Sequence, residues 1–446
     1  MTRDTAKSAV QRTIDDNRDA IIALGEAVYR TPETGFREHK TAAQIAQALE
    51  EHGVTFTQLE DIPGIKATFD TGRPGPGVAI IGEMDAIICA DHPDSDPQTG
   101  AVHACGHNAQ IAAAFGAFVG LLESGALDAL SGKVHFMAVP AEEYIEVEYR
   151  QTLRQQRIIR YLGGKPELLY RGFFDDVDLT MMLHTFPHEK RIALNATANG
   201  CLVKQFQFIG KAAHAGGAPD KGINALYAAN LGLMAINAIR ETFRDEDHIR
   251  VHPIITRGGA IVNVIPSDVR GETFVRGATT DAISAANRRV DRALIGSAAA
   301  LGASIELNDL AGYLPLTVSL PFNELAGRVM HELVPAEDIL TEPTHITGST
   351  DMGDLSTIMP VIQPYIGGVD GVGHGANFQI TDPDTAYLLG AQFLARTAVE
   401  LLGDNAKEAR SIVDAYEPQF ADKHAYFAYA DKLFSHRRFT PEDLGI

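Results

Sequence analysis

The chain has 446 residues, of which 45% are hydrophobic and 22% charged, so it resembles average globular proteins and not disordered or collagen-like chains. At a prior of about 150 residues per domain, this length predicts two or three domains. The 58 acidic residues outnumber the 38 basic residues and give a formal charge of −20. This charge disfavours nucleic acid and anionic membranes as partners and favours a small molecule.

The cysteines and the N-terminal sequence bear on the compartment. There are three cysteines, an odd and small number that disfavours a disulfide framework and favours reduced thiols. The N-terminal sequence lacks the apolar core of a secretion signal, and no later stretch offers the roughly 18 apolar residues of a membrane-spanning helix. We therefore expect a cytoplasmic protein without a membrane partner.

The first elements in the chain are predicted helices and buried strands. From Asp15 to Gly53, apolar residues recur at helical spacing and are interrupted by YRTPETGFRE, which predicts two helices joined by a loop. Three short apolar runs follow at residues 78–81, 134–139 and 179–183, with helix-like sequence between the first two. This alternation predicts a parallel sheet with helices on both faces.

Ligand-type side chains follow these runs at the points where the strands are predicted to end. They are Glu83 and Asp85 after the first run, Glu142 and Glu143 after the second, and His184 after the third. Because open α/β sheets place their sites at the carboxyl ends of strands, we expect these side chains to lie together. A fourth run, VIQPYIGG, leads through a glycine-rich turn to His374, which indicates that the same domain resumes downstream.

A second pattern interrupts this α/β domain. Strand-like and helix-like stretches follow each other in the order β-α-β-β-α-β, which is typical of a ferredoxin-like unit. We predict that residues 194–310 form this inserted domain. Residues 1–193 and 311–446 then form one split catalytic domain.

One segment is basic against the acidic background. It carries Arg150, Arg154, Arg157, Arg160 and Lys165 with no acidic residue between them. We expect it to form the solvated face of a helix. The alternatives are an oligomer contact or attraction of an anionic substrate.

Several side chains are of metal-ligand type. In His103-Ala-Cys105-Gly-His107, a thiolate and an imidazole two residues apart can face one cation, although the cysteine could also be a core residue. Glu142 and Glu143 could supply a ligand and a general base, or lie at a solvated helix start. Single histidines are more often structural, but the thiolate, the imidazoles and a carboxylate at the ends of separate strands together predict a two-metal site.

Seven motifs follow each other along the chain: GEMDA, HACGHN, PAEE, LHTFP, AHAGGAPDKGINAL, NVIP and GSTDMGDLS. Together they resemble the motifs of the M20 family of metallopeptidases and amidohydrolases, and more narrowly of its subfamily D. That subfamily includes aminoacylases and the hydrolases of hippurate, indole-acetyl-amino acids and p-aminobenzoyl-glutamate. The resemblance implies an α/β fold: a zinc-peptidase-like catalytic domain with an inserted ferredoxin-like α+β domain that acts as a lid and in dimerisation.

The resemblance also implies a ligand set for one or two divalent ions per chain, with Mn, Zn, Co and Ni as candidates. Cys105 would bridge the two ions. Glu143 and His374 would complete one site, and His107 and His184 the other. Cys89 and Cys201 lack ligand-type neighbours and are expected to pack in cores.

Four further residues receive roles from the resemblance. Glu142 would be the general base, and Asp85 would support the site from the first strand. His214 and Asn263, on the inserted domain, would reach the substrate carboxylate or the developing oxyanion, often across a dimer interface. From the residues alone, both positions also fit ordinary turns.

These features predict a metal-dependent hydrolase of the amide bond in a small N-acyl amino acid, dipeptide or aryl-amide conjugate, acting as a homodimer or larger homo-oligomer. A hydrolytic deaminase of an aromatic amine such as an aminobenzoate or nitroanthranilate needs the same site and stays an alternative. A metal-holding protein without catalysis is a second alternative, against which Glu142 argues. Asn108, Glu83 and GSTDMGDLS depart from the common pattern and leave the substrate open, and residues 146–172 lie outside it.

Overall fold

The computed structural model describes residues 1–340 and 345–445, and the chain divides into two compact units. Unit 1 comprises Met1–Thr197, Thr317–His345 and Asp354–Lys423. Unit 2 comprises Ala198–Leu316, Ile346–Gly353 and His424–Ile446. Among the described residues, no helix is long and apolar enough to cross a membrane.

Unit 1 is built on a six-stranded sheet. In spatial order its strands are Phe56–Gln58, Ile65–Asp70, Lys133–Val139, Gly77–Glu83, Leu179–Met181 and Val361–Ile362. The last four are parallel, and Gly77–Glu83 is buried at every position, as expected for a strand covered on both faces. Ile65–Asp70 pairs antiparallel with both of its neighbours, Phe56–Gln58 and Lys133–Val139. The prediction of a parallel sheet is therefore correct for the centre of the sheet and wrong for this edge.

Helices surround this sheet. They are Arg3–Asp16, Arg18–Tyr29, His39–Glu51, His107–Glu123, Val147–Gln155, Gly164–Tyr170, Leu320–Leu333 and Gly390–Asp414, the last preceded by a π-helical stretch at Asp384–Leu389. The two helices predicted between Asp15 and Gly53 are present, and a further helix precedes them. His107–Glu123 is buried almost throughout, because its sequence is apolar or small on all sides.

Shorter strands shape the loops at the end of the main sheet. Ile339–Leu340, Ile192–Ala193, Tyr365–Ile366 and His184–Thr185 form a small sheet in that order. Two pairs form hairpin-like ribbons: Ile87–Ile88 with Ala101–Val102, and Val369–Asp370 with Gln379–Ile380. These strands position the segments that contain His184 and His374.

Unit 2 has the predicted order of strands and helices around an antiparallel sheet. Its strands are Gly200–Ile209, Arg250–Val251, Ile254–Arg257, Asp268–Gly277, Ser304–Tyr313 and Ser435–Phe439, and its helices are Ala225–Ala238 and Thr280–Leu301. The third predicted element is split into two strands at Pro253, which has no N–H to donate to a ladder. A core of apolar side chains lies between these helices and the sheet.

The C-terminal segment belongs to unit 2, whereas the predicted boundaries assigned it to the catalytic domain. Ser435–Phe439 pairs antiparallel with Ser304–Tyr313 and extends the sheet at that edge. Arg437 forms ion pairs with Asp291 at 2.8 Å and Asp309 at 2.7 Å. The remaining elements lie where the chain passes between the units: Thr197–Ala198, Leu316–Thr317, His345–Ile346, Met352–Leu355 and Lys423–Ala430.

Candidate metal centre

A sharp turn places Cys105 and His107 beside each other at the start of the helix His107–Glu123. Gly106, between them, has a φ of 78°, in the left-handed region that glycine adopts without strain. A Cβ atom at this position would overlap the side chain of Thr185, whose hydroxyl donates a hydrogen bond of 3.0 Å to the carbonyl of Cys105. The glycine is therefore required both by the backbone conformation and by the close approach.

Cys105, His107 and His184 form the first candidate ligand group. Their Sγ and imidazole nitrogen atoms lie within 4.8 Å of one another, and Cys105 Sγ is 3.5 Å from His184 Nε2. Nδ1 of His107 donates to the carbonyl of Asp85, and Nδ1 of His184 donates to the carbonyl of Thr185, each at 2.8 Å. These bonds fix the tautomer that leaves each Nε2 lone pair available to a metal.

Cys105, Glu143 and His374 form the second candidate ligand group. Nε2 of His374 lies 3.3 Å from Cys105 Sγ and 3.0 Å from Glu143 Oε1. The backbone N–H of His374 donates to the carbonyl of Ala104 at 2.8 Å, which ties this distant loop to the cysteine turn. The thiol of Cys105 therefore belongs to both groups.

Asp85 and Glu142 are two buried carboxylates in contact with or close to members of these groups. Asp85 Oδ2 accepts a hydrogen bond of 2.8 Å from the backbone N–H of Glu143, and its Oδ1 lies 3.3 Å from His107 Nδ1. Glu142 is 6% exposed, and its carboxylate lies within 4.8 Å of ligand-type atoms of His107 and Glu83. A buried carboxylate beside the ligand groups is suited to proton transfer.

The pKa values of the cluster reflect its mutual charges. Burial and Glu143 raise the pKa of the Cys105 thiol, but His184 and His107 outweigh them and lower it to about 6. Burial also raises the pKa of Glu143, and His374 reverses this and lowers it to about 2. Glu143 in turn raises the pKa of His374 to about 11. A divalent cation competes with the imidazole protons, so metal binding releases protons.

The donor set fits divalent metal ions. One thiolate, three imidazoles and a carboxylate are ligands that Zn, Co, Ni and Mn accept in proteins. Among the described residues, the buried atoms His107 Nε2 and Glu143 Oε1 make no well-directed hydrogen bond. Each lies at ion-pair distance from a charged neighbour, Glu83 for His107 Nε2 and His374 for Glu143 Oε1, and both atoms belong to the candidate ligand groups, where a cation would complete their interactions.

His214 and Asn263 lie next to each other in unit 2, and both are exposed. The backbones of His214 and Val264 form a β-bridge, and Ala215 N–H donates to the carbonyl of Asn263 at 3.0 Å. Nδ1 of His214 accepts from the backbone N–H groups of Gly216 at 3.2 Å and Gly217 at 2.9 Å. The ring proton therefore resides on Nε2, which is a donor. Their predicted contact with substrate stays a prediction.

The sequence reasoning placed Glu83 among the side chains at the strand ends but gave it no role, and it misplaced two buried cations of this site. Glu83 lies with its Oε2 3.1 Å from His107 Nε2 and pairs with Lys165. Arg150 and Lys165, expected on a solvated helix face, are both 0% exposed, so that expectation was wrong for them. It holds for Arg154, which is exposed on the helix Val147–Gln155, whereas Arg157 is exposed in the turn that follows this helix. The two terminal nitrogens of Arg150 donate to backbone carbonyls and Lys165 pairs with Glu83, which makes their burial possible.

Comparison with known proteins gives concordant relatives. The profile of Peptidase family M20/M25/M40 matches residues 79–400. The Xaa-Arg dipeptidase of Mus musculus is 25% identical over 411 residues, covering 89% of each chain. The indole-3-acetyl-aspartic acid hydrolase of Enterobacter agglomerans is 30% identical over 304 residues, covering 64% of this chain and 65% of that protein. A dinuclear metal binding M20 peptidase of Bacillus subtilis has the same fold, with a TM-score of 0.63 and 21% identity over 87% of this chain and 99% of that chain.

Proposed function

Because the chain belongs to peptidase family M20/M25/M40 and is a metal-dependent hydrolase of C–N bonds, we propose that it cleaves the amide bond of a small N-acyl amino acid, dipeptide or aryl-amide conjugate. One relative is named for Xaa-Arg dipeptides and another for indole-3-acetyl-aspartic acid. An amide bond to an amino acid is common to both names. We therefore expect a substrate with a carboxylate.

The observation that carries this proposal is the shared position of Cys105. Its thiol lies in both ligand groups, so one sulfur could bridge two ions, with His107 and His184 on one side and Glu143 and His374 on the other. Bound divalent ions supply a Lewis acid that polarises a carbonyl and lowers the pKa of water. The candidate metals are Mn, Zn, Co and Ni, and reconstitution of the protein with each of them would identify the one that supports activity.

Glu142 is suited to move the proton. In the proposed reaction, a carboxylate oxygen of Glu142 takes a proton from water as the water oxygen forms a bond to the carbonyl carbon. The C–N bond then breaks, and Glu142 returns the proton to the leaving nitrogen. Its burial beside His107 and Glu83 supports this role, because a low-dielectric site strengthens the interaction of a carboxylate with a nearby proton donor.

His214 and Asn263 are proposed to bind the substrate. An imidazole whose Nε2 carries the proton and a side-chain amide are donors that suit a carboxylate or a developing oxyanion. Such donors contribute about 3 kcal/mol each in comparable sites.

Self-association through unit 2 is also proposed. Tyr227 and Met234 are 64% and 61% exposed, and with Leu231 they lie on one face of the helix Ala225–Ala238. An exposed apolar face of this kind is typical of an interface. A homodimer in light scattering that dissociates in Met234→Glu, with activity measured alongside, would support this arrangement.

The proposed function is tested on protein reconstituted with each metal. We expect at least one ion per chain by elemental analysis, and two masses from a cleaved amide in a screen of N-acyl amino acids, dipeptides and aryl amides. Glu142→Gln should retain metal and lose turnover by roughly 100-fold or more. Glu148→Gln, an exposed position nearby, is the matched control.

Three outcomes would count against the proposal, two by overturning it and the last by favouring an alternative. One is less than one ion per chain together with activity that ignores a chelator. The other is release of ammonia from an arylamine carboxylate without a second organic product, which would identify a deaminase instead. Full metal occupancy without any product across the screen would favour a binding protein.

A further inference from the structure

We propose that Arg150 is a positioning residue of the metal centre, which fixes the backbone on both sides of Glu142. This inference rests on the proposed function, because it assigns a role relative to Glu142 and Glu143. It also gives a function to residues 146–172, a segment that lies outside the common pattern of the family. We call residues 140–143 the glutamate loop.

The guanidinium of Arg150 lies against the glutamate loop. Arg150 is part of the helix Val147–Gln155, and its side chain is fully buried. One terminal nitrogen donates to the carbonyls of Ala141 at 3.0 Å and Leu162 at 2.6 Å, and the other donates to the carbonyl of Glu143. A planar fork holds the two carbonyls with donors on two separate nitrogens in a fixed geometry, whereas an ammonium group has its three donors on one nitrogen at the end of a flexible chain.

The glutamate loop has a backbone conformation that needs such support. Ala141 has a φ of 59°, in the left-handed region that disfavours side chains with a Cβ atom. Conformations of this kind persist where the surroundings determine them. Here the N–H of Ala141 donates to Glu38 Oε1 at 2.7 Å, and its carbonyl accepts from Arg150.

The residue after Glu142 is held in the same way. The N–H of Glu143 donates to Asp85 Oδ2 at 2.8 Å, and its carbonyl accepts from Arg150. Glu142 therefore lies between two residues whose N–H and carbonyl groups are both held by buried side chains. The strained turn directs Glu142 and Glu143 towards the same cluster although they are adjacent in sequence.

The far end of the segment also packs on the glutamate loop. Gly164 N–H donates to the carbonyl of Ala141 at 3.3 Å, and a Cβ atom on Gly164 would overlap the carbonyl of Pro140. The segment thus contacts the loop from Arg150 at one end and from Gly164 at the other. Loss of the guanidinium would leave the carbonyls of Ala141 and Glu143 with only their backbone donors, Gly164 N–H and Ile145 N–H, and remove the one side chain that joins them, so the two carboxylates could move apart.

The experiment compares four proteins loaded with Co²⁺: the wild type, Arg150→Met, Arg150→Lys and Arg157→Met. Arg157 lies in the same segment, is exposed and serves as the control for loss of charge. The readouts are the absorption spectrum of the bound Co²⁺, its affinity, kcat and KM for the best amide substrate, and far-UV circular dichroism. The Co²⁺ spectrum reports ligand geometry directly, which a purely structural role of Arg150 would not change.

We expect Arg150→Met to shift the Co²⁺ bands and to weaken metal affinity or kcat by about 10- to 100-fold, as is common when support of a ligand is lost. KM should change by less than threefold, because Arg150 does not face the substrate. Arg150→Lys should show the same changes to a smaller degree, since the ammonium keeps the charge and three donors but lacks the two separate terminal nitrogens of the arginine. Arg157→Met should match the wild type.

The outcomes separate this inference from the proposed function. A wild type that binds Co²⁺ and cleaves amides, with Arg150 variants that keep its spectrum and kcat, overturns the inference alone. If Arg150→Met does not fold, Arg150→Lys decides, and a wild-type spectrum and kcat in that variant also overturn it. A wild type without metal or product overturns the proposed function instead.

Discussion

Replacing Lys165 with methionine is expected to destabilise unit 1 of the metal-free protein strongly. Lys165 and Glu83 are both 0% exposed and form an ion pair, and Glu83 Oε2 also accepts a hydrogen bond of 2.9 Å from Gln110. Methionine fills most of the space of the lysine but leaves the carboxylate of Glu83 buried without the ammonium group, with His107 still 3.1 Å away. Removing one partner of a buried pair costs about 3–5 kcal/mol, and no solvent screening reduces that figure here.

The loss should depend on pH in a definite direction. Burial raises the pKa of Glu83, but Lys165 and His107 outweigh it, and the pKa in the folded protein lies below its ordinary value. Such a carboxylate contributes stability that is present above the ordinary pKa and is lost as the pH falls through the folded pKa. Without Lys165 the pKa of Glu83 rises. The difference between variant and wild type should therefore be largest at neutral pH and shrink in acid.

The assay is urea unfolding of chelator-treated protein, followed by circular dichroism at several pH values. Lys40→Met is the control, because Lys40 is exposed and its replacement removes the same positive charge. Lys165→Met with Glu83→Gln should recover about half of the lost free energy, since the uncompensated charge is then absent. A free energy of unfolding for Lys165→Met within about 0.5 kcal/mol of Lys40→Met would refute the reasoning, because surface changes have that size.

Three further predictions concern the turn, the tail and the metal. Gly106→Ala should weaken metal binding by about tenfold or more in competition with a chelating dye, because the added Cβ atom clashes with Thr185 at the ligand turn. Gly125→Ala is the control and should leave metal affinity unchanged, because Gly125 also has a left-handed backbone but has open space around it. Arg437→Met should lower the stability of unit 2 by about 1 kcal/mol in urea unfolding, a modest value because the arginine is 37% exposed and its pair with Asp309 is partly screened. Metal at 1,000 times its Kd should raise the free energy of unfolding by about 4 kcal/mol relative to chelated protein, and an unchanged unfolding curve would contradict binding to the native state.

The grouping of the candidate ligands could be predicted from the sequence because strand ends are local features. Gly77–Glu83 and Lys133–Val139 pair in parallel, with Glu83 opposite Val139, so the acidic residues that follow both strands emerge at one edge. The argument needed only apolar runs and the rule that sites lie at carboxyl ends. The order of elements in unit 2 followed for the same reason, since each element has its own periodicity.

The C-terminal strand could not be predicted in the same way. Ser435–Phe439 is short and polar, with the sequence SHRRF, and its pattern does not distinguish an edge strand from a loop. Its place depends on the exposed edge of Ser304–Tyr313 and on Asp291 and Asp309, more than 100 residues earlier in the chain. Long-range charge pairing of this kind leaves no local signal.

The basic segment did contain a signal against a solvated face. Arg150 and Arg154 are four residues apart in one helix, and like charges at this spacing repel on an exposed surface, whereas solvated helices usually place an acid there. A run of cations without acids, in a chain of net charge −20, indicates partners elsewhere in the fold. For Arg150 the partners are carbonyls of the glutamate loop, and for Lys165 the partner is Glu83, 82 residues away. The chemistry of the site therefore extends beyond its ligands to Arg150 and Lys165, two buried cations whose positions are explained by the groups that they hold in place.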